Sequence, residues 1–260
     1  MAPARGPLTN PRDESPSVSV RSSLRHLFLA PRASLWAALL LGAGLLAGAR
    51  PETRQETASD PERTSLPPAP PRRKAHPDAL FADDFNNGKL DGWTPDKPGV
   101  WSVWHGVLRA DLPDGRQQRS FLYAGSPEWT DVAVDLDVCG MRGVDKGVAV
   151  RVSGKRGIGV DLRGPGYQDV VVYRGDWPLG KASTLNANGA WHHLRVEARG
   201  NRYRVFVNGE LLIDRVDNHK SFPAGRIALP AYTGGVGQCT VYYDNVVVTP
   251  ISESSASNEH

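Results

Sequence analysis

The sequence has little of three features that would assign it to a class of protein. Only two cysteines, Cys139 and Cys239, occur in 260 residues, and a domain of roughly 170 residues buries enough of its unfolded-chain surface to fold without a crosslink. The formal net charge is only +3, and no basic run is longer than Arg72-Arg73-Lys74, which argues against a nucleic-acid partner. After residue 80 no stretch keeps a helical period for two turns, so a helical fold is excluded.

Long apolar runs are also absent, with one exception near the N-terminus. Residues 1–32 are polar and basic and predict a disordered region. Residues 33–49 carry no charge and end in Ala47-Gly48-Ala49, a small-x-small pattern that a signal peptidase could cleave. We expect one apolar helix here, either the core of a signal peptide or a membrane anchor near the ~17-residue lower limit for crossing a bilayer. The charge before it predicts that the remaining chain is exported, to the periplasm or the extracellular space, or anchored with the C-terminal domain outside.

A proline-rich segment follows this block. Residues 50–79 mix charged and hydroxyl side chains with the run Leu66-Pro67-Pro68-Ala69-Pro70-Pro71. Such a composition cannot bury enough apolar surface to offset the entropy of ordering, so we predict a disordered, extended linker. A proline motif that serves as the ligand of a recognition domain is the less favoured alternative. Residues 80–250 are predicted to form one folded domain, and residues 251–260 a disordered tail. Only residues 33–49 are expected to contact a membrane.

The folded part consists of a succession of short strand patterns. Apolar and polar residues alternate along 194–199, as expected of a strand with one buried and one wet face. Asn208-Gly209 is a strong hairpin signal, because a type I′ turn needs positive φ at both central residues. About a dozen such strands separated by turn signals predict an all-β fold. The predicted architecture is a two-sheet antiparallel jelly-roll sandwich, preceded by the disordered N-terminal region with its apolar helix.

The two cysteines lie at strand ends in this pattern. Cys139 closes a strand that begins at Val132, and Cys239 opens a strand that continues from Thr240. If these strands pair antiparallel, the end of one lies beside the start of the other, and an exported domain would join the thiols. Closing a loop of this size would stabilise the fold by on the order of 4 kcal/mol. We therefore predict a Cys139–Cys239 disulfide.

Several short motifs of the folded part are similar to those of a known family. They are Asp83-Asp84-Phe85 with Gly92-Trp93, Trp101-Ser102-Val103 with Gly106-Val107-Leu108, Trp191-His192-His193-Leu194-Arg195-Val196, Val207-Asn208-Gly209 and Tyr243-Asp244-Asn245-Val246. On these motifs, residues 79–250 resemble the concanavalin A-like jelly rolls of bacterial secreted proteins. Laminin G-like modules and the 3-keto-disaccharide hydrolase-like domain are the nearest groups. The motifs are short and mostly structural, so the resemblance supports the fold better than any activity.

The resemblance implies a sandwich that often binds glycans on one face or at one rim, in some members with a structural calcium ion. For calcium it points to Asp83, Asp84 and Asp244, where the first and last strands would meet. Laminarinase-like relatives carry Glu-x-Asp-x-x-Glu, whereas Asp135-Leu136-Asp137 here has no Glu beside it. Retaining glycosidases need two carboxyl groups about 5 Å apart. We interpret these two aspartates as solvated charges and predict no catalytic residue.

Strand parity indicates one face for ligand binding. The residues Arg151, Asp161, Arg163 and Tyr173 are predicted to line it, because Arg and Asp hydrogen-bond hydroxyl groups and an aromatic ring stacks on a sugar. Trp177, in the loop that follows, is predicted to form a binding platform at the end of this face. The alternative is an ordinary solvated sheet surface. The alternate side chains are predicted to fill the core, namely Val148, Val150, Val152, Ile158, Val160, Leu162, Val170 and Val172.

His192-His193 suggests a metal site or an acid–base pair. Adjacent strand residues point to opposite faces, so we interpret them as one inward and one outward side chain. The sequence therefore favours an exported module without evident catalytic machinery that binds carbohydrate or another cell-envelope polymer. Two alternatives stay open. One is a hydrolase acting on modified disaccharides, for which the sequence offers chiefly Asp161 and Asp169 as acids, and the other is a structural or protein-binding laminin G-like module.

Overall fold

The structure is a computed structural model that describes residues 65–73, 76–219 and 222–251. The predicted disordered region 1–32 and apolar helix 33–49 lie outside these residues, as does most of the predicted tail. Within the described part of the chain, no helix has the length and apolar character needed to span a bilayer.

Strands make up all the regular secondary structure of the described residues. In chain order they are β1 (Phe81–Asp83), β2 (Trp93–Pro95), β3 (Trp101–Trp104), β4 (Val107–Leu112), β5 (Arg119–Ala124), β6 (Val132–Arg142), β7 (Asp145–Ser153), β8 (Arg156–Arg163), β9 (Asp169–Arg174), β10 (Trp177–Ser183), β11 (His192–Arg199), β12 (Arg202–Val207), β13 (Glu210–Val216), β14 (Arg226–Tyr232) and β15 (Cys239–Pro250).

These strands form two antiparallel sheets, which confirms the predicted all-β sandwich. The eight-stranded sheet has the order β13-β12-β11-β6-β15-β4-β3, and β1 pairs with β15. The seven-stranded sheet has the order β10-β9-β8-β7-β14-β5-β2. Strands distant in sequence, such as β5 and β14, are neighbours in this sheet. One face of each sheet packs against the other sheet, and the two remaining faces point outward.

The core between the sheets follows the predicted alternation. On β8 the side chains of Ile158, Val160 and Leu162 are fully buried in the main hydrophobic cluster, while the residues between them point outward. The hairpin signal is also confirmed, because Asn208 has a φ of 52° and Gly209 a φ of 87° in the turn between β12 and β13.

The alternation breaks within β7. The register against β8 shifts between Val150 and Ser153, and Arg151 has a φ of 52°. An irregularity of this kind turns the following side chains to the other face of the sheet. Arg151 therefore points inward and is only 1% exposed, and Val152, which was predicted for the core, is half-buried instead.

The predicted disulfide is not formed, and Cys139 and Cys239 are separate buried thiols. Their strands do pair antiparallel, but Cys139 lies opposite Tyr242, three positions along β15 from Cys239. The side chain of Cys239 belongs to the main core, whereas Cys139 packs with Val107 and Tyr242 in a second cluster on the outer face of the sheet. The two sulfur atoms therefore lie on opposite sides of the sheet, which excludes a bond between them.

Candidate functional site

Three of the five predicted ligand-binding residues share the outer face of the seven-stranded sheet. Asp161 and Arg163 are two residues apart on β8 and so point to the same side. Tyr173 on β9 pairs with Gly159, which lies two residues before Asp161, and cross-strand partners share a face. The structure thus brings these three side chains together, each partly exposed.

Arg151 does not belong to this face, and its prediction as a ligand-binding residue is wrong. Its guanidinium donates hydrogen bonds to the backbone carbonyls of Thr130 (3.2 Å), Phe222 (3.1 Å) and Gly200. It also pairs with Asp131 at 2.9 Å. The N–H groups of the buried Arg151 are thus occupied by these contacts, and the side chain holds three loops together at one end of the sandwich.

Trp177 is as exposed as the sequence predicted, at 78% of its surface. It pairs with Arg174 across the hairpin of β9 and β10, whereas Tyr173 pairs with Pro178. Since neighbouring positions of a strand alternate between faces, Trp177 and Tyr173 lie on opposite sides of the sheet. Trp177 is therefore not placed to act with the other candidates.

A row of cross-strand partners runs across the outer face of the seven-stranded sheet. It begins at Tyr173 on β9, continues through Gly159, Ala149 and Ala228, and ends at Tyr123 on β5. Adjacent strands lie about 4.8 Å apart, so four steps place the two tyrosines about 19 Å from each other. Two aromatic rings thus stand at the ends of a floor that has almost no side chains.

A parallel row carries most of the charge. Asp169, Arg163, Asp145, Tyr232 and Arg119 are successive cross-strand partners. Arg163 donates two hydrogen bonds to Asp169, at 2.7 and 2.8 Å. The guanidinium of Arg119 lies 4.7 Å from the ring centre of Tyr232. Opposite charges alternate along this edge of the face, and the arginines are held in place by their neighbours.

Two apolar side chains in the middle of this face are covered by their neighbours. Val171 and Ala228 are each 1% exposed, although the register places them on the outer side. Asp161 lies between the two rows and pairs with Gly147 on β7. Asp161 is therefore an acidic group beside the row of small residues that ends at the two tyrosines.

Burial governs the acid strength of these aspartates. Burial, followed by the negative charge of Asp145, raises the pKa of Asp161 to about 7. The pKa of Asp145 is also raised by burial, against the opposing effect of Arg163. For Asp169 burial acts in the same direction, but hydrogen bonds from Arg163 and Lys181 hold its pKa below the ordinary value. Near neutral pH the face therefore combines one ionised, paired carboxylate with one that exchanges its proton.

The predicted calcium ligands lie near one another, and each of two of them already has partners or a shifted pKa. One oxygen of Asp83 accepts a hydrogen bond from the amide of Phe85 (2.8 Å), and the other accepts one from Trp93 Nε1 (2.9 Å). Burial, together with charges that include Asp84, raises the pKa of Asp244 to about 7. Across the described ranges, no three His, Cys, Asp or Glu side chains are arranged to hold a metal. Calcium also takes backbone and amide oxygens as ligands, so a calcium ion at these aspartates stays a prediction from the family resemblance.

The two neighbouring histidines point in opposite directions, as predicted. His192 is 7% exposed and sits at the inner side of β11. His193 faces outward, with Nδ1 3.2 Å from Asp137 and Nε2 3.1 Å from Asp135. Burial lowers the pKa of His193, but these two carboxylates outweigh it and raise the pKa overall. Asp137 is not a solvated charge, because its side chain is 2% exposed.

Half of the face comes from β5, β7 and β14 and was not predicted from the sequence. Tyr123 and Ala228 complete the aromatic row, and Asp145 adds the second acid. Their only signal in the sequence is the alternation within each strand, as in Phe121 and Tyr123 on β5. Which strands become neighbours is set by the long connections of the sandwich, and these carry no local pattern.

Comparison with protein families matches residues 80–249 to the 3-keto-alpha-glucoside-1,2-lyase-like domain. The chain belongs to this family. The match runs from the residue before β1 to the penultimate residue of β15, so the lyase-like domain contains both sheets. It confirms the resemblance found in the sequence. No curated protein matches the chain.

Solved structures with the same fold come from proteins of distant sequence. The carbohydrate-binding module CBM66 from Bacillus subtilis is 20% identical, with a TM-score of 0.52 over 61% of this chain and 95% of that one. The Bacillus licheniformis β-glucanase is 13% identical, with a TM-score of 0.52 over 68% and 100%. The exoplasmic/lumenal domain of VIP36, solved with Ca²⁺ and Man3GlcNAc, is 12% identical, with a TM-score of 0.51 over 68% and 92%. The lyase-like domain therefore has a jelly-roll fold that occurs in carbohydrate-binding and glycan-acting proteins.

Proposed function

We propose that this protein binds a carbohydrate chain along the outer face of the seven-stranded sheet. The observation that carries the proposal is the row from Tyr173 to Tyr123, in which two rings flank a floor of Gly159, Ala149 and Ala228. Aromatic rings stack on the apolar faces of sugars, and a floor of small residues leaves room for the chain between them. A span of about 19 Å suits a short oligosaccharide better than a single sugar.

Polar groups beside this row supply the directional contacts. Asp161 lies beside the row of small residues, and Arg163 is oriented by its paired hydrogen bonds to Asp169. Carboxylate and guanidinium groups bind the hydroxyl groups of a sugar through charge-assisted hydrogen bonds. Export by way of residues 33–49 is part of the proposal, since a cell-envelope or extracellular polymer would be the ligand of such a module.

Glycan binding by the full chain tests the proposal. We expect Tyr123→Ala and Tyr173→Ala each to weaken binding about tenfold, since stacking and burial of one ring contribute about 1 to 2 kcal/mol. Trp177→Ala is the matched control, because it removes an exposed aromatic side chain from the opposite side of the sheet and should leave binding unchanged. Loss of binding in the control with retention in both tyrosine variants would refute the location.

A second candidate is lyase chemistry on the same face, and the pair of Asp161 and Asp145 favours it. In a 3-keto sugar the ketone acidifies the proton on C2. A carboxylate can accept this proton while the C1–O bond breaks, leaving a C1=C2 double bond, and the departing oxygen then takes a proton from the newly formed acid or from water. Asp161, whose pKa is raised to about 7, is suited to accept and return a proton at neutral pH.

Turnover of a 3-keto disaccharide by the full chain tests this candidate. The rate should rise with pH up to about 7 and then level off, because the base must be ionised. Asp161→Asn should abolish turnover, while Asp176→Asn, an exposed acid in the turn after β9, should not change it. Glycan binding without turnover at any pH would refute the lyase candidate and support the binding function only.

A further inference from the structure

Part of the proline-rich segment lies on the outer face of the eight-stranded sheet. The carbonyl of Ser65 accepts a hydrogen bond from the Tyr242 hydroxyl at 3.1 Å. The carbonyl of Pro68 accepts one from Trp191 Nε1. The carbonyl of Pro71 accepts a hydrogen bond from Asn245 Nδ2 at 3.1 Å. Three side chains of the sheet therefore donate to three backbone carbonyls of residues 65–73.

The spacing of these carbonyls is three residues, which is the repeat of a polyproline II helix. That helix has three residues per turn and no internal hydrogen bonds, so every third carbonyl faces the same side and is free to accept. Pro67 is buried, whereas Leu66, Pro68 and Ala69 are exposed. One side of the segment thus faces the sheet and the other faces water, as expected for an extended ligand with a defined orientation.

An ion pair fixes the C-terminal end of the segment. The Arg73 guanidinium donates to both oxygens of Asp137, with distances of 2.8 to 3.1 Å. Asp137 also accepts a hydrogen bond from Asn245 Nδ2 at 2.7 Å and contacts His193 Nδ1 at 3.2 Å. Its carboxyl is therefore held in place by β11 and β15 and receives Arg73 in a preformed arrangement.

The surface beneath the segment has the composition that recognises polyproline II helices elsewhere. Tyr242 and Trp191 belong to the second hydrophobic cluster, together with Trp104. The rings of Trp104 and Tyr242 stack with centres 6.1 Å apart. Aromatic side chains that present a polar tip can pack beside prolines and donate to their carbonyls at the same time. Such a surface, with an acidic residue at one end, selects both the helix type and its direction.

We propose that the outer face of the eight-stranded sheet is a recognition site for a polyproline II segment, and that its occupant is the chain's own residues 65–73. The tether makes this binding intramolecular, so a modest intrinsic affinity keeps the site filled. A free copy of the same peptide then binds only when the tethered copy is removed. This site is separate from the glycan-binding face of the seven-stranded sheet, and either proposal can fail without the other.

The test measures binding of a fluorescent peptide of residues 64–74 to the full chain by anisotropy. The variant that carries Pro67→Ser, Pro68→Ser, Pro71→Ser and Arg73→Ala empties the site without changing any residue of the sheets. We expect it to bind the peptide at least tenfold more tightly than the unaltered chain does. A peptide with Arg73→Ala should bind at least tenfold more weakly than the natural peptide, since hydrogen bonds to a charged group contribute about 1.5 to 3 kcal/mol.

Two results would overturn the proposal. One is equal peptide binding by the emptied and unaltered chains. The other is equal binding of a peptide with the same composition in scrambled order, which would indicate charge attraction without recognition of the helix. Should the emptied chain fail to fold, as judged by thermal unfolding, Arg73→Ala alone replaces it, with Arg72→Ala at the exposed neighbouring position as the control. Arg73→Ala must then raise peptide affinity and the control must not.

Discussion

Replacing Asp161 by asparagine should stabilise the protein, and the gain should grow with pH. The pKa of Asp161 is raised by burial from 3.8 to about 7 in the folded chain. Between these values the folded state binds a proton that the unfolded state releases, so the wild-type protein loses stability as the pH rises. Above about 7 the carboxylate is ionised in both states and the loss is complete. Asparagine has no proton to lose, so the variant is free of this effect.

The magnitude follows from the same interval. The difference between 3.8 and about 7 corresponds to about 4 kcal/mol at about 1.4 kcal/mol for each tenfold change in proton affinity. Asp161 keeps some contact with water, which reduces the effect to about 2 kcal/mol. Most of it is gained between pH 5 and pH 8. We therefore expect the free energy of unfolding of Asp161→Asn to exceed that of wild type by about 1 kcal/mol more at pH 8 than at pH 5.

Guanidinium unfolding followed by tryptophan fluorescence at pH 5, 6, 7 and 8 provides the measurement. Groups that titrate in both proteins largely cancel in the difference, and Asp176→Asn, at an exposed position, is the matched control. A difference in unfolding free energy between Asp161→Asn and wild type that is constant or shrinks as the pH rises would refute the raised pKa of Asp161. A more stable variant that no longer binds or turns over a glycan would show that Asp161 is retained for function at the expense of stability.

Three further predictions concern the framework of the fold. Arg151→Met should lower the free energy of unfolding by about 3 to 5 kcal/mol, measured in urea, because it leaves buried carbonyls and a carboxylate without their donor. Unchanged stability with lost glycan binding would instead support a role in the site. Without any reductant, Cys139 and Cys239 should both react with a thiol reagent once the protein is unfolded. In the folded protein they should hardly react, since burial raises their pKa values to about 11 and about 12. Fewer than two reactive thiols in the unfolded protein would contradict two separate cysteines. Gly125→Ala should lower the melting temperature, because φ is 89° and the new Cβ would lie 2.0 Å from a tryptophan ring. The loss should be larger than for Gly154→Ala, since Gly154 has positive φ but open space around it.

The sequence predicted the fold correctly wherever strands are regular. Ile158, Val160 and Leu162 face the core because alternation needs nothing beyond the residues of β8 itself. It misplaced Arg151 because the irregularity in β7 has no local mark, neither a glycine nor a proline at that position. A shift of one position moves a side chain from one face to the other, and only the partner strand reports it.

The prediction of a Cys139–Cys239 disulfide was wrong for a related reason. The pairing of β6 with β15 satisfies the condition on which the prediction rested, but a disulfide also needs the two side chains to meet on one face. Cys139 is opposite Tyr242, and the odd offset of three positions to Cys239 turns the second sulfur to the other side. Register depends on every cross-strand pair of the sheet, so it cannot be deduced from the ends of two strands.

The candidate site was predictable only in part, because it is assembled from both near and distant strands. β8 and β9 follow one another in the chain, and parity alone brought Asp161, Arg163 and Tyr173 together. Tyr123 joins them through the pairing of β5 with β14, which links residues about 100 positions apart. Aromatic residues at such separations have no recognisable spacing, so the position of Tyr123 on this face becomes visible only in the folded chain.

The two outer faces of the sandwich differ in the hydrogen-bond and ion-pair partners of their polar groups. On the eight-stranded sheet, Asp137 is bound by Arg73, His193 and Asn245, and three carbonyls of residues 65–73 take up further donors. On the seven-stranded sheet the row from Tyr173 to Tyr123 has small residues between its ends. Burial and the charge of Asp145 raise the pKa of Asp161 despite the opposing effect of Arg163 and Arg119. A group that is costly to bury and is not neutralised by its neighbours is expected where a ligand supplies the missing partner. This difference is the reason for proposing the sugar site on the face that carries Asp161 and the proline-rich segment as the ligand of the other face.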